Sequence, residues 1–421
     1  MVIRRDFSVP FYKSTFVNQR YFSLDVFRGA TVAFMILVND PGSWSHIYDP
    51  LEHASWHGLT PTDLVFPFFL FAVGNAMAFV MPRLRAGGDG SFWKKVITRT
   101  LLIFLIGTFL NWFPFSHWVN GELVVRGWEW TKANGELAGI RVSGTLQRIA
   151  LCYFFASIIV YYTKVRTAAI IGALMLLFYW FLCIIMNPAD PYSFEGWFGK
   201  AIDLNLFGSA HVYQGDGVAF ENEGLVSTFP AIVSVIFGFV AGDFIRRRGK
   251  EADSLKTETN LVHPIYQTLT ILFIAAAALL FSGYIWSLFF PINKKIQSSS
   301  FIVTTAGLAC MVLATLIYLI EVKNKRGWWT RFFGVFGKNA LFIYALSSLI
   351  PKSLSLIRIP NGIGDNGQPA YTSPLAWFYQ NICARLPGPP ENGSLFYAIC
   401  IVILFWAIGY WMDKNKIYIK V

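Results

Sequence analysis

The sequence predicts an all-α polytopic membrane protein with about ten transmembrane helices, folded as a single transmembrane domain over residues 1–421. Hydrophobic residues make up 55 % of the chain and charged residues only 14 %, whereas soluble domains carry about 25 % charged residues. Aromatic residues reach 17 %, which suits a bilayer whose interfaces attract Trp and Tyr. Apolar runs of about 20 residues, the length that crosses a bilayer, recur along the whole chain.

Ten apolar segments are predicted to span the membrane. They lie at 24–42, 62–81, 96–114, 146–163, 167–186, 228–245, 265–285, 300–320, 332–350 and 395–412. Lys and Arg indicate the orientation, because cytoplasmic loops carry an excess of them. With the N-terminus inside, 23 of the 35 Lys and Arg fall in inside segments and nine in outside segments. We therefore expect a multi-pass inner-membrane protein with both termini, including segment 1–22, in the cytoplasm.

The net charge of +11 follows from this topology, so no nucleic-acid partner is expected. The longest loops, 111–145, 187–227 and 351–394, all fall on the outer side. Loops of this length in a compact protein are usually functional. The string RAGGDG at 85–90 would cradle a pyrophosphate only between a strand and a helix. Because it lies between two spans, we interpret it as a flexible inner loop.

The cysteines do not indicate a metal or disulfide site. No two of them have CxxC spacing, so neither a zinc site nor a disulfide framework is predicted. They are Cys152, Cys183, Cys310, Cys383 and Cys400.

The first span carries charges at both ends. Asp25 and Arg28 in SLDVFRG are three residues apart, so they share a helix face and can pair. The pair either anchors the inner end of the helix, or Arg28 faces a cavity and meets an anionic ligand. Asn39 and Asp40 precede Pro41-Gly42, and they are either a helix stop or part of a polar site.

A histidine-containing segment, HASWHGLTPTDLVFPFFLF, leads into the second span. His53 and His57 are four residues apart and would be neighbours on a helix. A metal site is disfavoured, because the HExxH glutamate is absent. The remaining alternatives are interfacial histidines without a special role and proton transfer near neutral pH. Pro67 removes the donor for the carbonyl of Asp63, which predicts an irregular helix lining a polar cavity.

Two later spans also begin with polar residues. Gln147 and Arg148 open the fourth span, where Arg148 either snorkels to the interface or belongs to the cavity. Glu221 and Glu223 precede the sixth span. In that span, the residues at 238 and 242 form a GxxxG pair, which is a common packing motif and weak evidence for a dimer face.

Seven motifs, together with Asn39, resemble the heparan-alpha-glucosaminide N-acetyltransferase family. They are SLDVFRG, HASWHGLTPTDLVFPFFLF, GTLQRIALCYF, EGLVSTFPAI, FPINKKIQSSSF, GKNALFIYALS and DKNKIYIKV. The likeness runs from about residue 20 to the end, and it is greatest to a bacterial group also described as amino-sugar permeases. The chain departs from the family by lacking the extra luminal domain and first helix of eukaryotic members. It also has His57 where Asn is frequent, and Glu221-Asn222 where Asp-Pro is common.

The resemblance implies an acyltransferase that takes acetyl from cytoplasmic acetyl-CoA and delivers it to the amino group of an external terminal glucosamine or related amino sugar. The family's catalytic histidine falls on His53 and its partner asparagine on Asn39. Acetyl-CoA is the implied donor, no metal is expected, and a homodimer is implied. The acceptor stays open among a free amino sugar, a glycosaminoglycan end, a cell-wall fragment and another glycan.

These residues suggest a mechanism in which His53 acts as general base or as a transient acetyl carrier. Asn39 would donate to the thioester oxygen or orient the ring, and Asp63 would orient the imidazole. The candidate substrate- and CoA-binding residues are Arg28, Asp25, Asp40, His57, Gln147 and Arg148. The competing interpretation is an amino-sugar transporter without acyl transfer, whose Trp-rich outer loops stack on sugar rings.

Basic residues of the inner loops are candidates for the phosphates of CoA, since Lys and Arg are the usual phosphate partners. For each of them, a solvated inner face is the alternative interpretation. They are Arg246, Arg247, Arg248, Lys323, Lys325 and Arg326.

Overall fold

The structure is a computed structural model that describes residues 21–119, 121–132, 135–215, 217–254, 264–363 and 369–419. The predicted cytoplasmic segment 1–22 therefore lies almost entirely outside the described residues. Long apolar helices form most of the remainder, because a backbone in lipid has to satisfy its hydrogen bonds internally.

Thirteen α-helices occur within the described residues. In chain order they are α1 (Phe22–Asn39), α2 (Val65–Ala86), α3 (Gly88–Trp112), α4 (Thr145–Tyr162), α5 (Val165–Met186), α6 (Phe198–Phe207), α7 (Leu225–Ser254), α8 (Pro264–Ser287), α9 (Ser299–Ile317), α10 (Trp328–Lys338), α11 (Ala340–Leu354), α12 (Pro374–Asn381) and α13 (Pro390–Lys414).

Among the described residues, nine helices are long and apolar enough to cross a membrane, and a tenth span results if α10 and α11 are counted as one. The prediction of a helical multi-pass membrane protein with about ten spans is confirmed. Helices α2 and α7 are the most buried spans, while α3, α5 and α8 leave most of their surface free to face lipid. The cytoplasmic placement of the termini stays a prediction.

The span predicted at 332–350 is not one straight helix. Helices α10 and α11 meet at an angle of 81°. Asn339 lies at the break, where its amide donates to the Ile417 carbonyl at 3.0 Å and its side-chain oxygen accepts the Ile419 N–H at 2.9 Å. Beside it, Lys338 pairs with Asp413 at 2.7 Å. The residues that hold this bend, 413–419, are far in sequence from 332–350. The apolar run alone therefore did not reveal the break.

The predicted outer loops contain short elements. Three antiparallel hairpins join β1 (Ser116–Val119) to β2 (Glu122–Val125), β3 (Glu129–Thr131) to β4 (Leu137–Gly139), and β5 (Ile359–Ile363) to β6 (Pro369–Thr372). Helix α6 lies in the second long loop, and α12 lies in the third. The all-α prediction is therefore right for the spans and incomplete for the loops.

Glycines allow α2 and α7 to pack with their backbones in contact. A Cβ on Gly238 would lie 2.0 Å from the Phe71 carbonyl oxygen, and one on Gly242 would lie 2.7 Å from that of Asn75. In the opposite direction, a Cβ on Gly74 would lie 1.9 Å from the Val235 carbonyl oxygen. The GxxxG pair of α7 thus packs inside the chain, so it carries no evidence for a dimer face.

We expect Gly238→Ala to destabilise the fold by about 1–3 kcal/mol, because the added methyl forces α2 and α7 apart. The measurement is the thermal midpoint of the purified protein in detergent. Gly90→Ala is the matched control, since a Cβ there meets nothing within 4 Å. A Gly238→Ala protein with an unchanged midpoint that loses only self-association would contradict this packing.

Candidate functional site

His53 and Asp63 form a hydrogen-bonded pair in the segment that leads into the N-terminal end of α2. His53 Nδ1 lies 2.8 Å from Asp63 Oδ1. The other carboxylate oxygen accepts the backbone N–H groups of Ala54 at 3.2 Å and Thr60 at 3.0 Å. Thr60 caps the 3₁₀-helix Pro61–Leu64, and Asp63 reaches back to the cap as in a capping box. A local helix-start motif therefore fixes the carboxylate that holds the imidazole.

The hydrogen bond to Asp63 uses Nδ1 of His53 and leaves Nε2 unused by the carboxylate. A carboxylate can only accept, so Nδ1 carries the proton and Nε2 keeps its lone pair. The carboxylate is almost inaccessible, with 1 % of the Asp63 side chain exposed, whereas 43 % of the His53 side chain is exposed. An immobile acid beneath an accessible imidazole is the arrangement that orients a general base.

His53 and His57 do not share a helix face, because residues 52–60 form an irregular segment. His57 Nδ1 instead lies 3.4 Å from the Asn293 amide nitrogen, and burial lowers the pKa of His57. Among the described residues, no three His, Cys, Asp or Glu are grouped so that they could hold a metal ion. A substrate-binding role for His57 stays a prediction.

Lys294 is a member of the site that sequence reasoning missed. Its Nζ lies 3.0 Å from Nδ1 and 3.2 Å from Nε2 of His53, and 3.6 Å from Asp63 Oδ1. Burial lowers the pKa of Lys294, while the charges of Asp63 and Glu223 act in the opposite direction. A signal was present in the sequence, since Lys294 and Lys295 belong to the small group of basic residues on the predicted outer side.

A rigid turn presents Lys294 to the site. Ser298 caps α9, and its Oγ accepts the Asn293 N–H at 2.9 Å. The Gln297 amide donates to the Lys294 carbonyl at 2.9 Å. The turn is joined to the histidine loop by a bond of 2.8 Å from the Gly58 N–H to the Ile292 carbonyl.

Asn39 lies exposed at the end of α1, and its side chain makes no hydrogen bond to any residue that the structure describes. Asp63 and Lys294, not Asn39, contact the His53 ring.

The Asp40 N–H closes the last turn of α1 by donating to the Ile36 carbonyl at 3.1 Å, so this position is a helix stop. Burial also raises the pKa of Asp40 to about 7. Ligand-facing roles for Asn39 and Asp40 stay predictions.

Asp25 and Arg28 anchor α1 to α10. Arg28 donates to Asp25 at 3.0 Å and, through Nε, to the Gly337 carbonyl at 2.8 Å. A Cβ on Gly337 would lie 2.0 Å from the Asp25 carbonyl oxygen, so the two backbones touch. The contacts agree with the anchoring interpretation, and a CoA-binding role for this pair stays a prediction.

Arg148 does not snorkel, since it is 1 % exposed. It donates to Thr228 Oγ1 and to the Gly224 carbonyl, both at 3.2 Å, and to the hydroxyl of Ser227. The guanidinium thus ties α4 to the first turn of α7. The neighbouring Gln147 is equally buried, and its amide nitrogen has no partner among the described residues.

Buried carboxylates next to this turn form an ion cluster with Arg141. Its guanidinium contacts Glu221 (2.9 Å from Nε) and Glu223. Burial would raise the pKa of Glu223, but Arg141 and Arg148 outweigh this effect and lower it. Because Glu223 also acts on the pKa of Lys294, the ion cluster and the His53 site share one electrostatic environment.

The basic residues predicted to attract CoA are partly paired within the protein. Arg246 and Arg247 both contact Asp243, at 2.5 and 2.6 Å. Arg326 contacts Glu321 at 2.9 Å. These ion pairs neutralise part of the positive charge of the inner loops. Binding of CoA by these residues stays a prediction.

Comparison with known proteins relates the chain to acyltransferases. A family model described as "Acyltransferase domain" matches residues 21–408. Heparan-alpha-glucosaminide N-acetyltransferase of Mus musculus is 25 % identical over 370 residues, covering 76 % of this chain and 52 % of that protein. The Homo sapiens protein of the same name is 26 % identical over 373 residues, with the same coverage. The chain thus spans about half the length of these curated relatives.

We expect Arg141→Met to lower the thermal midpoint strongly at pH 7, because it strands two buried carboxylates at a cost of about 3–5 kcal/mol. The loss shrinks below about pH 4.5, where unpaired Glu carboxyls take up protons. The measurement is the thermal midpoint between pH 4 and pH 8. Lys132→Met is the control, since Lys132 pairs with an exposed Glu136 and such pairs contribute less than about 1 kcal/mol. Equal effects of the two variants would contradict the buried cluster.

Proposed function

Because this chain belongs to the acyltransferase domain family, we propose that it transfers acetyl from cytoplasmic acetyl-CoA to the amino group of an external terminal glucosamine or related amino sugar. The chain is a multi-pass membrane acyltransferase distantly related to heparan-alpha-glucosaminide N-acetyltransferase. The name of these relatives supports an amino-sugar acceptor. The observation that carries the proposal is the hydrogen bond between His53 and the buried Asp63.

The chemistry requires an amine that has lost a proton. The amine nitrogen attacks the thioester carbonyl carbon, the carbon–sulfur bond breaks, and CoA leaves as a thiolate. His53 Nε2 takes the amine proton and passes it to the thiolate, which yields the amide and free CoA. A positioned general base of this kind contributes about 10²–10⁴-fold in rate. Asp63 keeps the ring in the tautomer and orientation that this transfer needs.

Two further points complete the mechanism. Asn39 donates its amide to the thioester oxygen, where one such donor contributes roughly 3 kcal/mol. Asn39 is exposed at the end of α1. Transfer through a transient acetyl group on His53 Nε2 is the alternative route to the same products.

We expect His53→Ala to lower acetyl transfer from acetyl-CoA to glucosamine by at least about 10²-fold, since no other group takes the amine proton. The measurement is the release of free CoA thiol by purified protein. His46→Ala is the matched control on the same outer loop and keeps the wild-type rate. A wild-type rate in His53→Ala would contradict the assignment of the base.

Thermal stability with acetyl-CoA, measured together with thiol release, separates the enzyme from the transporter alternative. An acetyltransferase is stabilised by its donor through mass action, by about 2.7 kcal/mol at a hundred times the dissociation constant. A transporter of amino sugars gains no stability from acetyl-CoA and releases no thiol. Wild-type protein with neither response would overturn the proposed function.

A further inference from the structure

Lys294 contacts His53 and Asp63 but lies outside the chain segment that contains them. It comes from the turn between α8 and α9, while His53 and Asp63 come from the segment between α1 and α2. Its Nζ lies 3.0 and 3.2 Å from the two ring nitrogens of His53. The mechanism derived above does not use it.

The two distances place the ammonium over one face of the imidazole. An atom at nearly equal distances from both nitrogens, if it lay in the ring plane, would collide with the carbon between them. The in-plane lone pair of Nε2 therefore stays open to a substrate proton.

Two carboxylates lie near this ammonium and favour its charged form. Asp63 Oδ1 lies 3.6 Å from Nζ, and Glu223 adds a second favourable charge. About a quarter of the Lys294 side chain is exposed, so the group is accessible to a ligand that is bound against His53.

We propose that Lys294 is a catalytic electrophile that stabilises the oxyanion formed when the amine attacks the thioester. This inference rests on the proposed acetyl transfer. As the nitrogen–carbon bond forms, the carbonyl electron pair moves to oxygen, and the ammonium beside Nε2 faces the resulting negative charge. When the carbon–sulfur bond breaks, the pair returns to re-form the carbonyl, and Lys294 keeps all of its protons. The same positive charge disfavours a protonated amine at the site, and so selects the reactive free base.

The test compares Lys294→Met, Lys294→Arg and Lys295→Met in the acetyl-CoA and glucosamine assay. We expect Lys294→Met to lower kcat by about 10²–10³-fold, the usual effect of losing one oxyanion donor, with the KM for acetyl-CoA changed by less than about threefold. Lys294→Arg keeps the charge and recovers at least tenfold of the loss. Lys295→Met, on the same turn, stays within twofold of wild type.

Recovery of activity in Lys294→Arg distinguishes loss of the positive charge from a structural role. A kcat of Lys294→Met within threefold of wild type, or equal losses of kcat in Lys294→Met and Lys294→Arg, would overturn the inference. If wild-type protein itself transfers no acetyl, the proposed function fails; if it does and Lys294→Met matches it, only the role of Lys294 fails.

Discussion

The geometry of the candidate functional site depends on one interaction, the hydrogen bond between the buried Asp63 and His53. A carboxylate that is 1 % exposed is stable only when its lone pairs are satisfied. Here two backbone N–H groups, an imidazole and a nearby ammonium satisfy them. Each of these groups is thereby fixed relative to the others. The charge that is costly to bury is also the charge that gives the site its geometry.

The same logic extends to the neighbouring helices. Arg148 is buried at the first turn of α7 and satisfied by hydroxyl and carbonyl oxygens of that turn. Arg141 compensates Glu221 and Glu223 in the loop that precedes it. Acids and bases thus alternate between Arg148 and the ion cluster that precedes α7.

Rigidity beneath the site comes from backbone contact and not from side-chain size. Helices α2 and α7 approach through Gly74, Gly238 and Gly242, and α1 approaches α10 through Gly29 and Gly337. Membrane helices associate by close packing of small residues, because apolar side chains gain no hydrophobic free energy by leaving lipid.

Apolar runs, the distribution of Lys and Arg, and short motifs determined from sequence alone that the chain is a helical membrane protein of about ten spans, and they singled out His53, Asn39 and Asp63. These signals are local, since hydropathy and helix starts depend on neighbouring residues. Only the tertiary structure decided that Lys294 lies against His53, that Arg148 is buried, that His57 faces Asn293, and that α10 and α11 bend at Asn339. Each of these contacts joins segments that are far apart in the chain, and a single sequence does not show which distant segments lie close together in the fold.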